Sequence, residues 1–407
     1  MNNFTESGCE YWHSGLSRNN TSRPAISFRL PHSTTWPLAA VLVSANAVGL
    51  TFGLTIPLVA LILEQDGYSA TWIGINASSA PIASILIAPF IANIATRIGI
   101  FQAMVICVVL SAILLCLFPV LKNIWFWLVL RFALGALGAV QWVLGEVWII
   151  ALAGRLNRGK IIGLYVTLVS IGFALGPQLI TLFGVDGPLP FIAAACFMLL
   201  SVLPILAVRK NIPEPPQHTK ASYLTITKAA PLIVFAACLA GFIDTSMMSF
   251  LHIFGLRNSL PMESALLMLT VVFSGTIVLQ IPIGWLADKF NRHRLLLIHG
   301  ILLFVIPLAV MVMFDTFALW PVLFLWGGLT MGIYTVALTL LGDRFKPIEL
   351  AAANAVFVAV YEIGSLGGPL SSGISMDLFG AQGLMIVYAL SAALFLITAI
   401  VLRLKSV

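Results

Sequence analysis

The sequence predicts an all-α integral membrane protein: twelve transmembrane helices in two pseudo-symmetric six-helix halves. Three observations predict it. Only 9% of the 407 residues are charged while 60% are hydrophobic, and the mean hydropathy is +1.05. A water-soluble chain carries charge on roughly a quarter of its residues, so too little polar surface is present to cover a globule, and a soluble enzyme is excluded. The apolar residues fall in blocks of about 18 to 27, long enough to cross a hydrocarbon core about 30 Å thick at 1.5 Å per residue. Finally, landmark residues recur at one fixed offset.

In chain order, residues 1–35 are polar and rich in Ser, Asn, Thr and Arg, without the compact basic start, short apolar core and cleavage site of a signal peptide. They read as a disordered cytoplasmic tail. The N-terminal half, 36–208, holds spans at 36–63, 72–95, 102–120, 124–152, 161–183 and 190–208. Residues 209–230 break the pattern with Arg209, Lys210, Lys220, Lys228 and the run Ile212-Pro213-Glu214-Pro215-Pro216, which reads as an extended cytoplasmic linker. The C-terminal half, 231–407, holds spans at 231–256, 263–287, 295–313, 318–341, 351–378 and 384–404.

The formal charge of +6 does not point to nucleic acid, because the basic residues sit in short loops between apolar blocks. They read as a topology signal. With the tail in the cytoplasm, 18 of the 21 Lys and Arg residues lie on that side; Lys122 and Arg257 lie opposite and Arg131 lies within a span. The positive-inside rule therefore places both termini in the cytoplasm. Cys107, Cys116, Cys196 and Cys238 fall in apolar blocks and Cys9 in the tail, so neither a disulfide framework nor a metal-binding spacing is present.

The repeat offset is 192. It relates Gly172, Gly176 and Pro177 of the fifth span to Gly364, Gly368 and Pro369 of the eleventh, and Gly49 to Gly241. Parallel halves related by duplication are the architecture of transporters whose site lies between the halves near the bilayer midplane.

Several motifs carry a family resemblance. Gly284, Leu286, Ala287, Asp288, Lys289, Arg292 and Arg294 form a stretch that resembles the GxLADRxGRR loop of the major facilitator superfamily, with Asn291 in place of the second glycine. Its aspartate is suited to pairing with cations and capping a neighbouring helix, holding a closed face with breakable contacts. The first-half copy is degraded, with Ala92, Thr96, Arg97 and Gly99 at the aligned positions. Gly163, Gly172, Gly176 and Pro177 resemble the fifth-helix motif of the drug:proton antiporter branch, its closing glycine pair replaced by Ile180 and Thr181. These glycines are expected to permit close helix approach, and Pro177 to bend its helix. Arg131, Gly135, Gly138, Trp142 and Glu146 share one helical face, and Arg131 with the two glycines resembles the family's RxxxGxG motif. Together with Asn157, Arg158 and Gly159, that face is similar to the bacterial YcaD-type facilitators. The resemblance covers nearly the whole chain after residue 35 and implies the facilitator fold.

Charges inside spans are few: Arg131, Glu146, Asp244 and Glu362, on helices that the resemblance places around the central cavity. Each costs about 3 kcal/mol to bury unpaired. Asp244 and Glu362 read as proton carriers, with Arg131 and Glu146 as further proton-coupling candidates; alternatively Asp244 and Glu362 pair with Arg131, and Glu146 with loop cations such as Arg158. His252 and His299 read as packed neutral side chains. Asn46, Asn76, Gln141, Gln178 and Gln280 are suited to binding solute or bridging helices, and Trp142, Trp326, Tyr334 and Tyr361 to shaping an apolar pocket. No ATP-binding, metalloprotease or nucleophile-and-base pattern appears, so neither enzyme activity nor a cofactor is expected. The expected function is a monomeric secondary transporter of the bacterial inner membrane. It would move a small organic solute by rocking of two halves coupled to protons, as an exporter or, alternatively, for uptake of a nutrient or organic anion; a non-transporting sensor is the remaining reading.

The orientation has a direct check. A cysteine placed at Glu214 is expected to label only after cells are permeabilised, whereas cysteines at Asp66, Asp186 and Asp315 label on intact cells. Labelling of Glu214 from outside reverses the topology.

Overall fold

The computed structural model describes residues 32–152, 154–207, 223–345 and 347–404. These are helical almost throughout, with no strand among them. The spans, in order, are His32–Gln65, Ala70–Ile87, Ile100–Leu117, Ile124–Leu152, Gly154–Phe183, Leu189–Leu200 with Val202–Ala207, Pro231–Arg257, Met262–Lys289, Arg292–Met313, Leu319–Arg344, Pro347–Phe379 and Gly383–Leu404. Eleven are long and apolar enough to cross a membrane. The remaining span, Pro347–Phe379, is 33 residues long; its serines, glycines and Glu362 lower its hydropathy, and it packs chiefly on the second and seventh spans.

Several helices outrun their hydropathy. The first begins at His32, inside the stretch expected to be tail; the second continues through a 3₁₀ turn, Ala88–Phe90, into Ile91–Ile98; the fifth begins at Gly154. The hydropathy reading stops a span at its first charge, but a helix needs only backbone hydrogen bonds to continue past the hydrocarbon. Pro89, which has no N–H to donate, accounts for the 3₁₀ interruption. Gly99, at φ +85°, lets the chain reverse at a single residue before the third span. Of the segment expected as an extended linker, Tyr223–Ala229 is helical; 208–222, with residues 1–31 of the expected tail, lie outside the described residues.

The duplication is visible in the packing. Span 1 packs most closely on span 5 and span 7 on span 11. A Cβ added at Gly49 would lie 2.6 Å from the Val169 carbonyl oxygen, and one at Gly172 2.5 Å from the Leu50 nitrogen; Gly176 abuts the backbone of Gly53 and Leu54. In the second half Gly241 abuts the Tyr361 carbonyl, Gly364 that of Cys238 and Gly368 that of Phe242. The 192-residue offset extends to contacts the sequence alone did not single out. Gly135 sits on Ala80 and Gly327 on Val272; Ser84 Oγ donates to the Gly135 carbonyl (3.3 Å) and Thr276 Oγ1 to that of Gly327 (3.0 Å). Two glycines of the expected gating motifs behave differently. Gly163 and Gly284 have nothing within 4 Å of an added Cβ, so neither supports close helix approach in this structure.

Contacts between the halves run through spans 2 and 11, 5 and 8, and 1 and 7. Among the described residues, the hydrogen bonds and the ion pair across that interface fall toward the end bearing the loops around Asp66, Asn258 and Gly380, here termed the distal end. Ser78 Oγ donates to the Leu366 carbonyl (2.8 Å), Gln178 Nε2 to Thr270 Oγ1 (3.0 Å) and Thr270 Oγ1 to the Ala174 carbonyl (2.7 Å); Phe173 stacks on Phe273. At the opposite, terminal end, where span 1 starts and span 12 finishes, no hydrogen bond or ion pair joins the halves among the described residues. There Phe90 and Trp285 are exposed. The bundle is closed distally and open terminally.

The glycine contacts yield a graded expectation. Gly176→Ala and Gly368→Ala push a methyl group into backbone and are expected to destabilise the purified protein by about 1–3 kcal/mol, read as a lowered melting temperature. Gly163→Ala, facing open space, is expected to leave it unchanged or raise it slightly.

Candidate functional site

The fourth span projects one face toward the middle of the molecule. From its distal part this face carries Arg131, then Gly135 against the second span, Gly138 against Phe52 of the first, and Trp142 and Glu146 toward the open end. Trp142 Nε1 donates to Glu146 Oε1 (2.9 Å), and the indole meets Tyr165 of the fifth span edge-on, 6.0 Å between centroids. The duplication places a second aromatic pair opposite. Tyr334 and Phe357, 192 residues beyond Trp142 and Tyr165, lie 4.9 Å apart on spans 10 and 11. Tyr334 also meets Tyr361 edge-on at 5.5 Å.

Three carboxylates join these rings. Asp244 Oδ2 accepts from Tyr361 Oη (2.8 Å), fixing one oxygen between spans 7 and 11. Glu362, next along span 11, is half-buried and makes no hydrogen bond or ion pair among the described residues. Glu146 of the first half and Glu362 of the second both lie in the neighbourhood of Tyr334. Thus the structure brings Glu146, Trp142, Tyr334, Tyr361, Asp244 and Glu362 around one crevice between the halves. Tyr165 and Phe357, missed in the sequence, are buried behind Trp142 and Tyr334 and back those rings; the 192 offset applied to Trp142 and Tyr334 was the available signal.

Other expected residues lie elsewhere. Arg131 is 5% exposed, forms no ion pair with any carboxylate among the described residues, and its Nε has no hydrogen-bond partner. The expected ion pair with Asp244 or Glu362 is not formed. Glu146 is engaged by Trp142, and the side chain of Arg158 lies outside the described residues. The amides act as bridges: Gln141 Nε2 donates to Ser111 Oγ of span 3 (3.0 Å), Asn46 Nδ2 to the Leu168 carbonyl (2.5 Å) and Gln280 Nε2 to Thr335 Oγ1 (2.5 Å). Gln178 ties the halves together distally. His252 and His299 are buried; His299 Nδ1 faces the Leu295 carbonyl at 2.8 Å.

The loop after span 8 also departs from expectation. Asp288 ends that span exposed and does not cap the next helix; Asn291 does, its Oδ1 accepting from the Arg294 N–H (3.1 Å). Arg292 donates to Asp343 at the end of span 10 and to the Ala287 carbonyl (2.9 Å), with Asp288 farther away at 3.5 Å. Lys289 lies over the Trp285 ring at 4.0 Å.

Two polar clasps close the distal end. Arg257 of span 7 grips Glu64 of span 1 through Nε to Oε1 (2.6 Å) and Nη2 to Oε2 (2.8 Å). The Asp377 carboxylate, ending span 11, accepts from the N–H groups of Ala70 (2.9 Å) and Thr71 (2.8 Å), capping span 2 of the other half. The sequence held one hint: Arg257 lies against the charge bias.

Twin six-helix halves around a polar crevice, closed at one end and open at the other, define a secondary transporter. The Major Facilitator Superfamily profile matches residues 41–332 and 233–407, and the chain belongs to that family, one of transporters rather than enzymes. It is 26% identical over 347 residues to the uncharacterized MFS-type transporter YfkF of Bacillus subtilis strain 168, covering 83% of this chain and 88% of that one. Identity to the uncharacterized MFS-type transporter YcaD of Escherichia coli K12 is 25% over 367 residues, 89% and 95% of the two chains. Among solved structures the fold is similar to the nucleoside transporter NupG (TM-score 0.72, 14% identity, 90% and 98% covered). It is also similar to a bacterial homologue of the human lysosomal transporter Spinster in an inward-facing, occupied conformation (TM-score 0.70, 15% identity, 91% and 96% covered). The chain is a multi-pass membrane transporter of small molecules.

The clasps can be tested separately from transport. Each contributes about 1 kcal/mol at this partial exposure, so the pair Glu64→Gln and Asp377→Asn is expected to raise the distally open population about tenfold or more. Electron-spin distance measurements between labels on Asn123 and Thr316 should gain a longer component. An unchanged distribution would assign closure to helix packing alone.

Proposed function

We propose that the protein is a proton-coupled exporter of a small organic solute, working as a monomer in a bacterial inner membrane with both termini, and hence the open terminal end, in the cytoplasm. The proposed division is a tail 1–35, six-helix units 36–208 and 231–407, and a cytoplasmic linker at 209–230, with the helices His32–Gln65 and Tyr223–Ala229 reaching into tail and linker. One observation carries the coupling. Glu146, Asp244 and Glu362 border the crevice from both halves, and none has a cation as partner among the described residues. Carboxylates held out of water without a fixed counter-charge are the side chains here that can take up and release a proton as the surroundings change; hydroxyls titrate too high.

Glu362 is the preferred carrier. Unlike Asp244, which is held by Tyr361, its carboxylate is free, and the glycines at 364 and 368 bring span 7 against its helix. Trp142, Tyr334 and Tyr361 form the walls on which the solute rests, with Asn46, Gln141 and Gln178 fixing the helices around them. Export is favoured by the Gly163, Gly172, Gly176, Pro177 pattern. The positive-inside bias supports the orientation.

Proteoliposomes with an imposed pH gradient test this reading. Glu362→Gln or Asp244→Asn keeps shape but cannot cycle a proton, so gradient-driven accumulation is expected to vanish while solute exchange persists. Accumulation by both variants would exclude coupling through these residues and favour sodium coupling or facilitated diffusion.

A further inference from the structure

The crevice chemistry leaves one buried group without a task. Arg131 makes no ion pair and no hydrogen bond among the described residues, and its Nε is sealed from solvent. At 5% exposure the whole side chain is almost enclosed. Asn76 of span 2 is 2% exposed, and its Nδ2 also has no partner. The two residues lie at one level: Gly135 packs on Ala80, and one turn back along each of these parallel helices are Arg131 and Asn76. Asn76 is on the Ala80 side of its helix, away from Gly74 and Ser78, which face span 11.

The duplicated half shows that the fold does not require this polarity. The positions 192 residues on are Met268 and Leu323, both fully buried and apolar, although the neighbouring contacts, Gly135 on Ala80 and Gly327 on Val272, are preserved. The N-terminal half therefore keeps a cation and an amide where apolar side chains would pack, and the unmet atoms of both, guanidinium N–H and amide N–H, are donors. Donors without acceptors, one of them charged, are the complement of an oxyanion; guanidinium matches a carboxylate in geometry as well as charge.

We infer that Arg131 and Asn76 form a carboxylate-binding site, and that the transported solute carries a carboxylate. This rests on the solute-transport reading above and names its cargo class. The site shares a helix face with Trp142 and Glu146, so the acid group would be held on the distal side while the remainder of the solute meets the aromatic walls.

Equilibrium binding by the purified full-length protein, with no gradient imposed, separates this inference from proton coupling. Acetate, benzoate and succinate are compared with acetamide, benzamide and succinamide, and with chloride, in thermal melts. The wild-type protein is expected to be stabilised in a concentration-dependent way by at least one carboxylate and not by its amide or by chloride. Arg131→Leu and Asn76→Met copy the opposite half, so packing is retained; each should weaken the carboxylate response about tenfold or more. Lys122→Gln, exposed in a distal loop away from the crevice, should keep it. If Arg131→Leu does not yield folded protein, Asn76→Met alone decides. A wild-type protein indifferent to all three carboxylates, equal stabilisation by chloride, or a response that survives in the variants overturns the inference and leaves proton coupling standing.

Discussion

In hydrocarbon an apolar side chain gains little by exchanging lipid for another helix, so helices hold firmly where their backbones can meet. This constraint governs the structure. Spans 1 and 5 approach through Gly49, Gly53, Gly172 and Gly176, spans 7 and 11 through Gly241, Gly364 and Gly368, and spans 2 and 4, like 8 and 10, through Gly135 and Gly327. Several such contacts in register along one helix pair resist sliding, because a shift drives carbonyl oxygens toward Cα atoms. Each half consequently behaves as a block, and the freedom left is movement of one block against the other.

The contacts between blocks add polar links to glycine packing. Span 2 meets span 11 at Gly74 on Pro369 and at Gly373 on Ala70, and a few hydrogen bonds and the Glu64–Arg257 and Asp377 clasps join the halves beside them. Polar contacts near a water interface exchange with water at a net cost of about 1 kcal/mol each, against the larger penalty of disturbing a glycine-packed block. The hierarchy of energies thus sets the motion: the distal clasps can open while the halves remain intact. Arg292, held by Asp343, stiffens the terminal end of the second half without bridging to the first. Among the described residues, nothing there has to be broken in the terminally open state.

The fold was largely legible because membrane helices are written in one dimension. Block length gives the spans, and a repeat measured at Gly172 and Gly364 gives the pairing of halves. Helix ends were less legible, since hydropathy reports where hydrocarbon ends and not where hydrogen bonding does; hence the extensions to His32 and Gly154. The crevice was partly legible, because a charge inside a span must face protein or water, and Asp244, Glu146 and Glu362 all do. Partnership was not. Nothing in linear spacing could tell that Trp142 would donate to Glu146, that Gln141 would turn to Ser111, or that Gly163 would face open space. Those outcomes depend on helix rotation and on which end of the bundle is open.

The two halves share their architecture and divide their chemistry. At the 192-residue offset glycine matches glycine at 49, 135, 172 and 176, and aromatic matches aromatic in Trp142 with Tyr334 and Tyr165 with Phe357. The ionisable residues inside spans have no such matches: Arg131 corresponds to Leu323, Glu146 to Leu338, Asp244 to Phe52 and Glu362 to Ser170. Packing has to satisfy the same geometry twice, so duplication preserves it. A crevice between two blocks needs each charge only once, because both walls face one volume, and a second copy would add another burial cost of about 3 kcal/mol. Symmetry therefore identifies the scaffold, and its violations identify the residues that do something the scaffold does not require.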